Sequence, residues 1–229
     1  MEELKMANNR AAGGDPPEAG RRTAQSVLPD SCREAARLIR ERRTIRRFAK
    51  QAVPVQELAA MLKLAADTVA LEYDPDGLRF IFFASDEGKR KAGQAIMAAY
   101  SGQGLYRWMP GKVVQAMAGQ VAKIPLIAAV IVRECGNPSY NDRQIAAASG
   151  IIHSFTLLAW ERQIGLVWNT ELVIEHELLK AGLGLAGDER LVCLLYVGAY
   201  DKLPKGKSRT PAAEKWTVLG GDTGQGGEA

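Results

Sequence analysis

The chain has 229 residues, 47% of them hydrophobic and 24% charged, an ordinary composition for a soluble globular protein with a sizeable core. Its formal net charge of +4 is spread along the chain, where a dedicated nucleic-acid binder concentrates it in a stripe, so the excess favours anionic ligands only in a general way. Cys32, Cys135 and Cys193 form no CxxC pair and only His153 and His176 accompany them, which excludes a sequence-readable zinc site or disulfide framework and makes reduced thiols in a cytoplasm the simplest expectation.

Residues 1–26 are polar, rich in Gly and Pro and lack an apolar signal core, so they are expected to form a flexible leader. Residues 220–229, GGDTGQGGEA, are expected to form a flexible tail, leaving one folded domain over 27–219. Ser31 is placed as the N-cap of a first helix, with Glu34 in the capping-box position. Ala35, Leu38 and Ile39 form its apolar stripe, and it should stop near Thr44. Leu58, Met61, Leu62 and Ala65 predict a second helix over 55–68. LRFIFFAS reads as a buried strand, residues 86–101 as a helix, and GQGLYRWMPGK as its breaker.

IPLIAAVIV is apolar on both faces, as an inner strand of a covered sheet should be. A long helix follows over about 142–163, apolar nearly all round, and so either central or covered by a partner subunit. His153 within it reads as a core histidine. GLVWNT is a short strand, ELVIEHELLKAGLG a helix stopped by glycine, and LVCLLYVGAY the last strand. The chain then turns basic in DKLPKGKSRTPAAEKW. Alternating helices and strands, with little strand overall, predict an α+β fold or an α/β sandwich.

ERRTIRRF, residues 41–48, carries four arginines in eight positions. Three readings fit. A solvated helix face is the ordinary explanation of a charge run. A nucleic-acid patch lacks the recognition helix or aromatic strand pair that usually accompanies one. The third is a phosphate socket: Arg42, Arg43 and Arg46 sit where the first helix breaks at Thr44, whose hydroxyl and N–H can also donate. Guanidinium forks donate in pairs and stay charged, which suits a phosphate monoester.

RRTIRRF followed by AVPVQELAAMLKLAADT resembles the opening of the nitroreductase family of FMN-dependent oxidoreductases, with its R-R-S-x-R-x-F start, V-P turn and L-L-x-A-A helix. The resemblance implies that Arg42, Arg43, Thr44 in the serine place, and Arg46 hold the FMN phosphate, while Arg47 points elsewhere and Phe48 is core. KGKSRTP resembles the family's K-x-R-x-P element, which implies that Lys207 and Arg209 return to the same phosphate. AWERQIGLVWNT resembles A-x-x-x-G-L-G-x-x-W, with Gln163 in the place of the first glycine, and implies that Val167, Trp168 and Asn169 neighbour the flavin ring. Core packing is the plainer reading of Trp168.

VALEYDPDGLRF departs from the family's A-P-S-x-x-N-x-Q-P-W-x-F. Leu71 holds the serine place, Asp74 the asparagine place and Asp76 the glutamine place. In the family this loop comes from the neighbouring subunit and contacts FMN, so Leu71 and Asp74 are carried over as contacts, although acids near a phosphate are electrostatically unfavourable. Tyr106, Trp108 and Met109, within the 102–112 segment, fall where the family places a variable lid.

The fold implied is a three-layer α/β/α sandwich with a central, mostly antiparallel sheet, assembled as an intertwined homodimer. The activity implied is ping-pong reduction, by NAD(P)H through FMN, of a flat electrophile such as a nitroaromatic or quinone. No catalytic side chain, metal, nucleic acid or membrane is called for. The alternative is a flavin-binding or interaction protein on the same scaffold that no longer turns over.

Overall fold

The computed structural model describes residue 29 and residues 32–101 and 110–206. It divides into two compact units, one ending at Glu41 and the other beginning at Arg42. In the first, α1 (Arg33–Glu41) is stitched along its surface by Arg37, which pairs with Glu34 at 3.0 Å and with Glu41 at 3.2 Å. It ends three residues before Thr44, and the expected cap Ser31 lies outside the described residues.

The second unit is built on four antiparallel strands in the order β1-β2-β4-β3. These are β1 (Leu78–Phe83), β2 (Leu126–Arg133), β3 (Ile164–Asn169) and β4 (Glu189–Ala199). Strand β2 shows why both sheet faces must be covered. Leu126, Ala128, Val130 and Val132 enter one apolar cluster, while Ile127, Ala129 and Ile131 enter the other. The side-chain period of two sends alternate residues to opposite layers, and both sets are apolar.

The first layer is α2 (Val55–Asp67) with α5 (Pro138–Glu161). The opposite layer is α3 (Asp86–Ser101) with α6 (Glu177–Leu183), and α4 (Gly111–Val121) packs against α3. A bulge interrupts β4, because Cys193 pairs with Val130 and Leu191 with Ile131, skipping Val192. Val192 and Cys193 therefore both serve the α2/α5 side. The expected α/β/α sandwich with an antiparallel sheet is what forms.

Three local expectations differ. The helix anticipated over ELVIEHELLKAGLG is divided into a 3-10 turn, Leu172–Glu175, and α6. His176 between them caps α6, its Nδ1 accepting from the Leu178 N–H at 3.2 Å. His153 is exposed rather than in the core, because the α5 face toward the sheet is filled by Ala148, Ile152, Phe155 and Ala159. Helix α4 was not anticipated: it buries no residue and its N-cap, Pro110, makes no side-chain cap.

Candidate active site

The arginine segment is laid along the free edge of the sheet. Thr44 bridges Leu166 of edge strand β3 in parallel, and the Ile45 N–H donates to the Leu166 carbonyl at 3.1 Å. Four residues on, the Ala49 N–H donates to the Ala199 carbonyl at the end of β4, at 2.8 Å. Residues 44–49 thus cross the ends of two strands, anchored by backbone bonds at both ends.

Two glycines make that crossing possible. Gly165 of β3 and Gly198 of β4 are direct cross-strand partners. A Cβ on Gly165 would fall 2.3 Å from Ile45 Cγ1, and one on Gly198 would fall 2.9 Å from Phe48 Cδ1. Side chains directly opposite in an antiparallel pair share a face, so the pair leaves one bare patch, onto which Ile45 and Phe48 pack. Ile45 is buried there and Phe48 half-buried.

With Ile45 pinned, Thr44, Arg46 and Arg47 line a cavity of about 510 Å³ whose far wall is Asp201, Lys202, Leu203 and Pro204. Arg47, expected to point elsewhere, lines it too. Arg43 lies beside this wall: a Cβ on Gly206 would sit 3.3 Å from Arg43 Nη2. The chain leading into the second basic motif therefore reaches the first. Lys207 and Arg209, which follow directly, lie outside the described residues. The Arg42 carbonyl accepts from Arg43 Nη1 at 3.1 Å, and Arg42 is not among the described lining residues.

Arg46 and Phe48 also line a second cavity, of about 650 Å³. Its other walls come from Val167, Trp168 and Asn169 of β3, with Thr170, Glu171 and Tyr196, and from Gln120, Val121 and Ile124 at the end of α4 and just beyond. Trp168 is 36% exposed. Its indole N–H donates to Thr156 Oγ1 at 3.2 Å, and that buried hydroxyl donates to the Ile152 carbonyl at 2.7 Å. The ring is thereby tethered to α5; it lines the cavity and belongs to neither apolar cluster, so the plainer reading as core packing does not hold.

Asn169 organises the mouth. Its Nδ2 donates to the Tyr196 hydroxyl at 3.0 Å, and its Oδ1 accepts from the Glu171 N–H at 3.1 Å. The Tyr100 hydroxyl donates to the Glu171 carboxylate. Burial, and then that bond, lifts the Tyr100 phenol well above its ordinary value, and burial lifts Tyr196 also. Neither phenol ionises near neutrality. Tyr100 there remains a donor.

Of the residues expected at the site, Thr44, Arg46, Val167, Trp168 and Asn169 line these two cavities, which share Arg46 and Phe48, and Arg43 flanks the first. Leu71 and Asp74 do not line them among the described residues. Leu71 is 46% exposed. Asp74 is occupied locally: its carboxylate accepts from the Asp76 N–H at 3.0 Å and from the Tyr140 hydroxyl at 2.8 Å. Its N–H and carbonyl are clamped by the Gln144 amide at 2.8 and 2.9 Å. Tyr106, Trp108 and Met109 lie outside the described residues.

Glu171, Tyr196, Asp201, Lys202 and the α4 residues were not singled out from sequence. Glu171 lies just beyond β3, which the family motif marks, and Asp201 and Lys202 lie just beyond β4; Tyr196 and the α4 residues carried no such signal. Among the described residues no His/Cys/Asp/Glu group could hold a metal ion, and no helix is long and apolar enough to cross a membrane.

The model of the nitroreductase family matches residues 39–199. A Bacillus subtilis (strain 168) relative, named "Putative NAD(P)H nitroreductase YfhC", is 30% identical over 187 residues, 80% of this chain and 92% of its own length. Among solved structures, a nitroreductase-like family protein of Bacillus cereus superposes with a TM-score of 0.71 at 28% identity, over 81% of this chain and 96% of that one. The FMN and NADPH-dependent nitroreductase NfnB of sphigopyxis sp. strain HMH gives 0.61 at 17% identity, over 81% and 99%, a likeness of fold.

Proposed function

The chain belongs to the nitroreductase family, and on that premise we propose that it is an FMN-dependent oxidoreductase that draws electrons from NAD(P)H and delivers them to a flat electrophile such as a nitroaromatic or quinone. The observation that carries this reading is the pair of cavities sharing Arg46 and Phe48. The first carries Arg46, Arg47, Lys202 and the Thr44 hydroxyl among apolar groups and Asp201; the second carries an indole, a phenol and aliphatic groups together with Gln120, Asn169 and Glu171. FMN has the matching anatomy, a dianionic phosphate at one end and a flat ring at the other. The donor set fits: guanidinium and ammonium groups hold a phosphate as charge-assisted donors, and an apolar, aromatic slot with a few polar groups suits a planar ring.

When bound, FMN supplies the redox chemistry, accepting hydride from NAD(P)H and returning electrons to a second molecule in ping-pong order. The protein's part is orientation. Arg46 and Thr44 would hold the phosphate end, and the family resemblance would add Arg42, Arg43, Lys207 and Arg209 to the same phosphate. Val167, Trp168 and Asn169 would present one strand to the ring, and the Trp168–Thr156 bond holds the indole in place. Contacts from Leu71 and Asp74 would come from the partner subunit of a homodimer. The free state of Cys32, Cys135 and Cys193 accords with a cytoplasmic location.

The purified protein should show visible flavin absorption that bleaches with NAD(P)H under anaerobic conditions. Arg46→Ala should weaken FMN binding roughly tenfold to a hundredfold, the value of a hydrogen bond to a charged group, read by fluorescence titration. A colourless protein that takes up no added FMN would overturn the reading. A flavin band that NAD(P)H leaves unbleached would favour a flavin-binding protein without turnover. The observation on that side is the substituted loop, whose Asp74 is tied to Tyr140.

A further inference from the structure

The second cavity contains one feature that flavin binding does not use. Among its described lining residues only Arg46 and Glu171 carry charge. Arg46 also lines the first cavity, where on the reading above it would serve the FMN phosphate, which leaves Glu171 as the charge of the slot that the cofactor would not engage. One hydrogen bond restrains the exposed carboxylate, and another anchors the backbone beneath it. The Tyr100 hydroxyl donates to it, and the Glu171 N–H is held by Asn169 Oδ1 at 3.1 Å. Asn169 is held in turn by Tyr196 at 3.0 Å. A charge fixed by a supporting set of hydrogen bonds beside an apolar wall discriminates between ligands by sign.

Resting on the reductase reading, the geometry points to Glu171 as the residue that sets the charge preference of the acceptor, favouring flat acceptors that carry an ammonium or other cationic group over carboxylated ones. Glu171 here is a specificity determinant. It touches the substrate's charged substituent and takes no part in electron transfer. Tyr100 is a positioning residue acting through it. Like-charge juxtaposition excludes the anionic acceptor as much as attraction recruits the cationic one.

The test uses the FMN-loaded protein and three matched acceptors: para-nitrobenzylamine, para-nitrobenzamide and para-nitrobenzoate. The wild type should favour the amine over the benzoate in kcat/KM, with the amide between, and added salt should shrink the preference. Glu171→Gln should reduce the amine-to-benzoate ratio about threefold to tenfold, through KM rather than kcat, the scale of one partly exposed ion pair. Tyr100→Phe should reduce it less, also through KM. Calorimetric titration of benzylamine and benzoate, which cannot be reduced, gives a readout independent of turnover and should show the same order.

An unchanged ratio in Glu171→Gln, or equal binding of the two unreactive analogues, would overturn the assignment. Should Glu171→Gln fold poorly, Tyr100→Phe and the wild-type calorimetry still decide. Absence of flavin reduction by NAD(P)H would instead count against the reductase reading. In that case the calorimetry alone would uphold or overturn the charge preference.

Discussion

The residue that most plainly departs from its expected type is Gln163. It closes α5, its N–H donating to the Trp160 carbonyl at 3.0 Å, and it sits at φ +57°. That is the left-handed conformation in which helices commonly end and which glycine adopts without penalty. The resembled motif carries glycine at this place, and the structure supplies the reason. A side chain there costs about 1–2 kcal/mol, partly offset because glycine loses more freedom on folding. Gln163→Gly is predicted to raise the melting temperature by about 1–3 °C and Gln163→Val to lower it by more, read by calorimetry. A lower melting temperature for the glycine variant would show that the strain is not felt. The glycines at 165 and 198 obey a different rule, since neither has a positive φ. They are needed because Ile45 and Phe48 lie where their side chains would be.

Among the elements, β1 and β4 are joined across β2 by a side-chain clamp. Glu189 accepts from Arg79 Nη2 at 2.7 Å and from the Ala186 N–H at 2.8 Å, with only 12% of its side chain exposed. The Arg79 bond, against an opposing cost of burial, holds the Glu189 carboxyl below its ordinary value. A depressed carboxylate contributes stability that is present above its unfolded value, near 4.3, and is lost as pH falls through the folded one. Stability is therefore predicted to drop on acidification below about pH 4.3. Arg79→Met should flatten that part of the profile and cost about 1 kcal/mol at neutral pH, measured by urea unfolding across pH. An unaltered acid limb would mean that other carboxylates set it. The strands and long helices were legible because burial stamps its period on them: β2 is apolar on both faces and α5 carries an apolar stripe. Helix α4 was not, since none of its residues is fully buried. Thr44, Arg46 and the 167–169 strand could be read from motifs. Glu171 and Tyr196 could not, because their importance comes from the Asn169 bridge, which exists only once β3 and β4 are paired.

For the whole molecule, the question is whether one chain completes its own site. Ala60, Met61 and Leu64 of α2 and Leu158 of α5 line a shallow, mostly apolar cavity of about 350 Å³ on the side of that layer away from the sheet. Leu64 is 51% exposed and Leu71, in the following loop, 46%. Large aliphatic groups on a helix pair that already has a filled inner face are what a second subunit would cover. The departed loop, 69–78, gives the same layer a role at the site, because the family resemblance brings that loop from the neighbouring subunit. A homodimer is accordingly predicted, with twice the 24.8 kDa chain mass by light scattering at micromolar concentration. Leu64→Asp should shift it toward monomer, since an unpaired carboxylate cannot be buried without large cost. If subunit exchange of the loop is real, the same variant should release flavin in step with dissociation, although Leu64 lines neither cavity shared by Arg46. A wild-type protein that is monomeric yet retains FMN would sink both claims. A Leu64→Asp monomer that keeps its flavin would leave the dimer standing and show that residues 69–78 of the partner are not needed to hold the cofactor.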